Sequence, residues 1–129
     1  MVQNNRRTRI LAVEDDLTTR AALFGLLADE SFEVVLTKTA EGGLAQLRTK
    51  GFDVVLTDDR LPGHTGFWLA SRAREEGLLP YAQVLMLSGD PAAQTNEWLT
   101  IVRKPLEAGG LVKVVGALLE KIRGAAARC

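Results

Sequence analysis

The chain has 129 residues, of which 47% are hydrophobic and 25% are charged, a composition that is ordinary for one globular domain and argues against disorder. Sixteen basic residues balance sixteen acidic residues, so the net charge gives no support for a nucleic-acid or anionic-membrane partner. Because a single cysteine excludes an internal disulfide, and neither a membrane span nor a signal peptide is visible, we expect a cytoplasmic location.

Along the chain, hydrophobic periodicity predicts strands that alternate with helices. The first apolar run, 10–13, precedes a helix that Thr18 or Thr19 can cap and that should end near Glu30. The later strands are predicted at 33–37, 52–57, 83–87 and 100–103, and the later helices at 40–50, 67–76 and 107–123. A helix between the fourth and fifth strands has little room, and residues 124–129 should form a frayed tail.

This alternation predicts a doubly wound α/β sandwich with a parallel sheet. We expect one domain over residues 1–129, with a structured core of about residues 8–123. In such sheets, functional groups collect beyond the carboxyl ends of the strands. Here polar residues follow four of the predicted strands at those ends: Glu14, Asp15, Asp16, Asp58, Asp59, Ser88 and Lys104.

The chemistry of these groups suits a divalent cation beside a phosphorylatable carboxylate. Mg²⁺ takes oxygen ligands and is commonly held by one or two carboxylates and a phosphate oxygen, which Glu14, Asp15 and Asp58 can accommodate. A carboxylate can also attack phosphorus to give an aspartyl phosphate. Phosphoryl transfer then depends on positioning and on charge neutralisation, which a metal and Lys104 provide. Asp16 stays open between this cluster and a cap of the following helix.

The motifs together resemble the receiver domain of bacterial two-component response regulators, the CheY-like group. The matching segments are ILAVEDD at 10–16, DVVLTD at 53–58, LPG at 61–63 with Gly66, LSG at 87–89 and KP at 104–105. They are spread over nearly the whole chain in the order of the family. The resemblance implies a flavodoxin-like (CheY-like) three-layer sandwich around a five-stranded parallel sheet in the order 2-1-3-4-5.

The resemblance also implies a role for each residue of the site. Asp58 would be the phosphoacceptor, Ser88 the hydroxyl that moves toward the phosphoryl group, and Lys104 its counter-charge. Mg²⁺ would be the cofactor, held by Glu14, Asp15, Asp58 and the backbone carbonyl of Arg60.

Two expectations concern the immediate neighbours of these residues. Counting back four residues from Pro62 selects Asp58 over Asp59 as the phosphoacceptor, and strand alternation should point Asp59 elsewhere. Arg60 and Asp90 take positions that flank the entrance to such sites. We hypothesise that they form an ion pair across the entrance and restrict the hydrolytic water.

The chain departs from the family pattern between Ser88 and Lys104. Only fifteen residues, 89–103, lie there, about five or six fewer than usual, so the fourth helix of the family must be short, distorted or replaced by a loop. In addition, Ile101 stands three residues before Lys104, where receivers commonly carry an aromatic switch residue. The phosphorylation chemistry therefore looks intact, whereas the readout looks altered.

The predicted function is a phosphorylation-dependent signalling receiver rather than a turnover enzyme. A histidine kinase or phosphotransfer protein would donate a phosphoryl group to Asp58, and a downstream protein would bind the altered surface of the fourth helix, fifth strand and last helix. Two alternatives stay open. A pseudo-receiver would signal without phosphorylation, which the shortened region favours. A Mg²⁺-dependent aspartate-nucleophile phosphohydrolase would carry a second aspartate two residues after the first, where this chain has Arg60.

Overall fold

The computed structural model describes residues 8–28, 32–79, 83–104 and 110–127, in which five strands and four helices follow one another. The strands are β1 (Arg9–Val13), β2 (Glu33–Thr37), β3 (Val54–Asp58), β4 (Gln83–Ser88) and β5 (Thr100–Arg103). The helices are α1 (Leu17–Ala28), α2 (Ala40–Thr49), α3 (Gly66–Glu75) and α4 (Gly110–Ala127).

All five strands lie parallel in one sheet with the order β2-β1-β3-β4-β5. The expected strand order is therefore confirmed. Because β1 pairs with both β2 and β3, the order reverses beside β1, and the carboxyl ends of β1 and β3 border the crevice where such sheets carry their sites.

Each face of the sheet is covered by two helices, which gives the three layers. Alternate residues of β3 point to opposite faces. Val55 belongs to the core under α2 and α3, whereas Val54 and Leu56 belong to the core under α1 and α4. Every residue of β3 is buried, as expected for the central strand of a covered parallel sheet.

The first helix begins earlier than predicted because Asp16 caps it. Asp16 Oδ2 accepts hydrogen bonds from the Thr19 backbone N–H at 2.8 Å and from the Thr19 hydroxyl at 2.7 Å. These bonds lower the pKa of Asp16. The helix starts at Leu17, so the prediction of Thr18 or Thr19 as the cap is wrong. The predicted end near Glu30 lies outside the described residues.

The last helix, α4, continues to Ala127, so the prediction of a frayed tail from residue 124 is wrong for residues 124–127. Three alanines follow Gly124, and alanine has the highest helix propensity. The predicted start at residue 107 lies outside the described residues. Among the helices of the described ranges, none combines the length and the apolar character needed to cross a membrane.

A loop of residues 89–99 takes the place of a helix between β4 and β5. Asn96 Oδ1 accepts hydrogen bonds from the backbone N–H groups of Trp98 and Leu99, both at 3.0 Å. The guanidinium of Arg103 donates to the backbone carbonyls of Asp90 and Ala93. Two backbone bonds also lie within the loop, from the Ala93 N–H to the Asp90 carbonyl at 3.1 Å and from the Asn96 N–H to the Leu99 carbonyl at 2.9 Å. Of the expected alternatives, a short helix, a distorted helix or a loop, the structure therefore has the loop.

The same loop packs against the α2 and α3 side of the sheet. Leu99 is buried in that core, and Trp98 and Ile101 pack against its edge. The guanidinium of Arg74 lies over the Trp98 ring, 5.0 Å from its centroid. Ile101, which stands where receivers commonly carry an aromatic switch residue, is a half-buried aliphatic side chain.

Candidate functional site

The carboxyl ends of β1 and β3 bring three acidic side chains together. Val13 pairs with Thr57 in the parallel register, so the residues that follow them, Glu14 and Asp58, lie side by side. Carboxylate oxygens of Glu14, Asp15 and Asp58 all lie within 4.8 Å of one another. Glu14 and Asp58 are buried and Asp15 is exposed. The three side chains predicted to bind a metal therefore form one cluster.

The concentration of negative charge in this cluster favours the binding of a cation. Burial raises the pKa of Glu14 to about 7, and the nearby charge of Asp58 adds to the effect. The Asp16 backbone N–H, which donates to Glu14 Oε2 at 3.2 Å, and the Lys104 ammonium both oppose the rise. Clustered carboxylates repel one another, and a donor set made of oxygen atoms is what Mg²⁺ prefers. These residues therefore fit Mg²⁺.

Lys104, which follows β5, brings a positive charge to Asp58. Its ammonium contacts Asp58 Oδ1, and the Asp58 side chain is only 7% exposed. The backbone N–H of Lys104 donates to the carbonyl of Ser88 at 2.9 Å, which holds the lysine beside the end of β4. The predicted proximity of Lys104 to Asp58 is therefore present. Pro105, the second residue of the predicted motif, lies outside the described residues.

Ser88, at the end of β4, is fully buried, but its hydroxyl does not bond to Asp58 in this state. Ser88 Oγ donates to Asp59 Oδ2 at 2.9 Å and accepts from the Asp90 backbone N–H at 3.1 Å. The expectation that Asp59 points away from the site is wrong. The reason is that β3 ends at Asp58, so strand alternation no longer fixes the next side chain. Asp59 is the residue that sequence reasoning missed.

A pocket of about 350 Å³ opens at these strand ends. Its lining residues are Asp58, Asp59, Arg60, Leu87, Gly89 and Lys104. Asp58 and Lys104 therefore lie in the wall of one pocket that opens at the surface. Arg60 is exposed at the pocket, and a metal-ligand role for its backbone carbonyl stays a prediction.

The hypothesis of an ion pair between Arg60 and Asp90 is wrong. Within the described part of the chain, no ion pair joins these two residues. Asp90 Oδ1 instead accepts a hydrogen bond from the Ala92 backbone N–H at 2.9 Å. The short Asp90 side chain thus bonds to its own turn, a local alternative that aspartate commonly takes.

The backbone of Asp58 and Asp59 packs closely against Gly66, the first residue of α3. The Gly66 backbone N–H donates to the Asp59 carbonyl at 2.8 Å. A Cβ atom at Gly66 would lie 2.1 Å from the carbonyl oxygen of Asp58 and 2.9 Å from Thr57 Oγ1. Only glycine permits this close approach. The glycine of the predicted motif therefore sets the position of the Asp58 backbone.

Comparison with known proteins gives a consistent result. A family model described as the response regulator receiver domain matches residues 10–115. The chemotaxis protein CheY of Pseudomonas aeruginosa is 31% identical over 128 residues, which cover 90% of this chain and 99% of that protein. The transcriptional regulatory protein DltR of Streptococcus agalactiae is 39% identical over 70 residues, which cover 54% of this chain and 31% of the regulator. The chain thus matches about a third of the length of that relative.

Solved structures agree with these relatives. A CheY-like response regulator receiver domain from Methanospirillum hungatei superposes with a TM-score of 0.81 at 25% identity, covering 95% of this chain and 99% of that one. The receiver domain of the hybrid histidine kinase CckA has a TM-score of 0.73 at 26% identity, covering 88% and 97% of the two chains. With this fold, and with acids, serine and lysine gathered at one edge of its sheet, the chain belongs to the response regulator receiver domain family.

Proposed function

We propose that the chain is a phosphorylation-dependent signalling receiver whose phosphoacceptor is Asp58. The observation that carries the proposal is the environment of this carboxylate. Asp58 is buried, contacts the ammonium of Lys104, and lies within 4.8 Å of the carboxylates of Glu14 and Asp15. It also lines the pocket through which a phosphodonor can approach.

The donor in this proposal is the phosphohistidine of a histidine kinase or a phosphotransfer protein. An Asp58 oxygen forms a bond to phosphorus while the bond between phosphorus and the imidazole nitrogen breaks, and the nitrogen keeps the electron pair. The product is an acyl phosphate on Asp58. The Lys104 ammonium forms an ion pair with the phosphoryl oxygens. The Ser88 hydroxyl donates a hydrogen bond to another phosphoryl oxygen, after its hydrogen bond to Asp59 has broken.

Mg²⁺ is the cofactor in this proposal. When bound, it neutralises charge on the phosphoryl group, which is the main requirement of phosphoryl transfer. The carboxylates that would hold it are those of Glu14, Asp15 and Asp58. The resemblance to receivers adds the backbone carbonyl of Arg60 as a further ligand. The domain itself then catalyses only its own phosphorylation and dephosphorylation.

The phosphorylated domain changes its affinity for a downstream protein. The surface that we assign to this partner consists of the 89–99 loop, β5 and α4, because the loop begins directly after Ser88. The relatives show that receivers occur both as nearly whole proteins, such as CheY, and as parts of longer ones, such as CckA. A cytoplasmic location, in contact with the kinase, follows from this role.

Incubation with Mg²⁺ and acetyl phosphate, followed by intact-mass measurement, tests the proposal. The wild type should gain one phosphoryl group, and Asp58→Asn should gain none. Glu75→Gln, an equally conservative change of an exposed carboxylate on α3, is the control and should gain one phosphoryl group like the wild type. A wild type that gains no mass, or an Asp58→Asn variant that does, contradicts the proposal.

The loop of residues 89–99 favours a second candidate, a pseudo-receiver that binds partners without phosphorylation. In the expected pattern, a fourth helix between β4 and β5 forms part of the surface that binds the downstream partner, and here a loop takes its place. The same experiment separates the two candidates, since a pseudo-receiver gains no mass in acetyl phosphate. Release of inorganic phosphate from an unrelated phosphomonoester such as p-nitrophenyl phosphate, in large excess over protein, would instead indicate a phosphohydrolase.

A further inference from the structure

The hydroxyl of Ser88 is committed to a carboxylate other than the phosphoacceptor. Ser88 Oγ donates to Asp59 Oδ2 at 2.9 Å, and it accepts from the Asp90 N–H at 3.1 Å. A hydroxyl has one hydrogen, so it can donate to one acceptor at a time. Ser88 is fully buried, so solvent does not reach its hydroxyl, whereas the acceptor Asp59 is half-buried.

The backbone of Asp59 is fixed on two sides, which pre-sets the position of its carboxylate. Its N–H donates to the Leu87 carbonyl at 2.8 Å, and its carbonyl accepts from the Gly66 N–H at 2.8 Å. Leu87 directly precedes Ser88 on β4. The backbone of Asp59 is thus hydrogen-bonded to the end of β4, which carries Ser88. Asp59 lines the pocket beside Asp58.

A phosphoryl group on Asp58 would compete for the same hydrogen. It brings three strong acceptor oxygens and additional negative charge next to the Asp59 carboxylate. Two anionic acceptors then face one donor, and each gains a charge-assisted hydrogen bond only at the expense of the other.

We infer that Asp59 is a positioning residue for the reaction at Asp58, one that holds the Ser88 hydroxyl in the unphosphorylated state and opposes its transfer to the phosphoryl group. The inference rests on the proposed function of Asp58. The backbone N–H of Asp59 also donates to Asp58 Oδ1 at 3.1 Å, a contact that side-chain substitutions at Asp59 retain. The Asp59 carboxylate itself acts through Ser88. The Asp90 N–H, bonded to Ser88 Oγ, links the same switch to the start of the 89–99 loop.

Beryllofluoride with Mg²⁺, a stable phosphoryl mimic, provides the first test. Asp59→Ala should tighten the apparent Kd for beryllofluoride about tenfold, the size expected when one charge-assisted hydrogen bond no longer has to break. In a Ser88→Ala background the same substitution should change the Kd less than about twofold, because the hydroxyl is gone. Asp59→Asn keeps an acceptor and the shape of the side chain, so its Kd should lie between those of the wild type and Asp59→Ala.

The amide resonance of Asp90 provides a second readout that a merely structural role would not move. Beryllofluoride should shift this resonance in the wild type, since Ser88 Oγ turns away from Asp59. In free Asp59→Ala the resonance should already be displaced toward the bound position, and in free Asp59→Asn it should be displaced less.

The outcomes separate this inference from the proposed function. Failure of beryllofluoride to bind the wild type, or equal binding to Asp58→Asn, overturns the proposed function and this inference with it. Binding that depends on Asp58 but is unchanged by Asp59→Ala overturns the inference alone. An equal gain in the Ser88 and Ser88→Ala backgrounds also overturns it, because the effect would then arise from charge without the hydroxyl.

Discussion

The ammonium of Lys104 contacts the carboxylate of Asp58, 46 positions earlier in the sequence. A cation bound at the acidic cluster would contact the same carboxylate. Asp58 is shared between the lysine on one side and the acidic cluster of Glu14 and Asp15 on the other. A metal ion at the cluster and Lys104 therefore draw on the same negative charge. Under the proposed function they would compete before phosphorylation, whereas a phosphoryl group on Asp58 would supply enough negative charge for both.

Replacing Lys104 by glutamine should tighten Mg²⁺ binding while it weakens phosphorylation. Loss of one positive charge beside the carboxylates should lower the Kd for Mg²⁺ roughly tenfold, about 1.4 kcal/mol. Calorimetric titration with Mg²⁺ measures this change. Lys113→Gln, an exposed substitution on α4, is the charge-matched control and should leave the Kd unchanged. Equal or weaker Mg²⁺ binding by Lys104→Gln would show that the lysine does not compete for Asp58.

Replacing Gly66 by alanine should destabilise the domain and displace the phosphoacceptor. The new Cβ would lie 2.1 Å from the Asp58 carbonyl oxygen, so the backbone must shift. We expect a loss of about 1–3 kcal/mol in the free energy of unfolding, measured in urea, together with slower phosphorylation by acetyl phosphate. Gly25→Ala is the control, because nothing lies within 4 Å of its added Cβ and alanine favours the helix. A stable Gly66→Ala variant would contradict the close approach.

Replacing Arg103 by glutamine should loosen the 89–99 loop with little effect on the rest of the domain. The guanidinium donates to the carbonyls of Asp90 and Ala93, and no helical backbone bonds hold this segment. Hydrogen exchange should become faster in the loop, while the free energy of unfolding should change by no more than about 1 kcal/mol. Arg48→Gln on α2 should leave exchange in the loop as it is in the wild type. Unchanged exchange in Arg103→Gln would mean that other contacts fix the loop.

The ion pair between Arg48 of α2 and Glu76, the C-cap of α3, should make the free energy of unfolding depend on pH in the acid range. Hydrogen bonds from Arg48 lower the pKa of Glu76 from 4.5 to about 2. The unfolded chain therefore binds this proton more readily than the folded chain. The stabilisation is fully present above about pH 4.5 and disappears as the pH falls toward about 2. Urea unfolding of wild type and Glu76→Gln should show a difference at neutral pH that narrows over this range. A constant difference would exclude the titration of Glu76 as its source.

The strands and the main site residues were predictable because they depend on few physical rules. Apolar runs fixed β1, β3 and β4, and the carboxyl ends of parallel strands necessarily meet at one edge of the sheet. The proximity of Glu14, Asp58 and Lys104 follows from that geometry. The missing helix was also partly predictable, since fifteen residues limit what can connect β4 to β5.

Interactions that involve a choice among local partners were not predictable. Asp16 caps α1, Asp90 bonds to its own turn, and Asp59 accepts from Ser88. Aspartate has a short side chain that bonds equally well to nearby backbone, hydroxyl groups or cations, so its sequence position does not select one partner. A signal that could have identified Asp59 was the end of β3 itself, beyond which strand alternation no longer applies.

The strand order also determines when the site comes into existence. During synthesis, Asp58 leaves the ribosome well before Lys104, which follows the edge strand β5. Until β5 pairs with β4, the central carboxylate has no lysine beside it, and the segment after Ser88 has no Arg103 to fasten it. Under the proposed function, a chain that lacks β5 would therefore have the acidic cluster of Glu14, Asp15 and Asp58 without the lysine that phosphoryl transfer requires. Competence to receive a signal is in this way a property of the completed sheet.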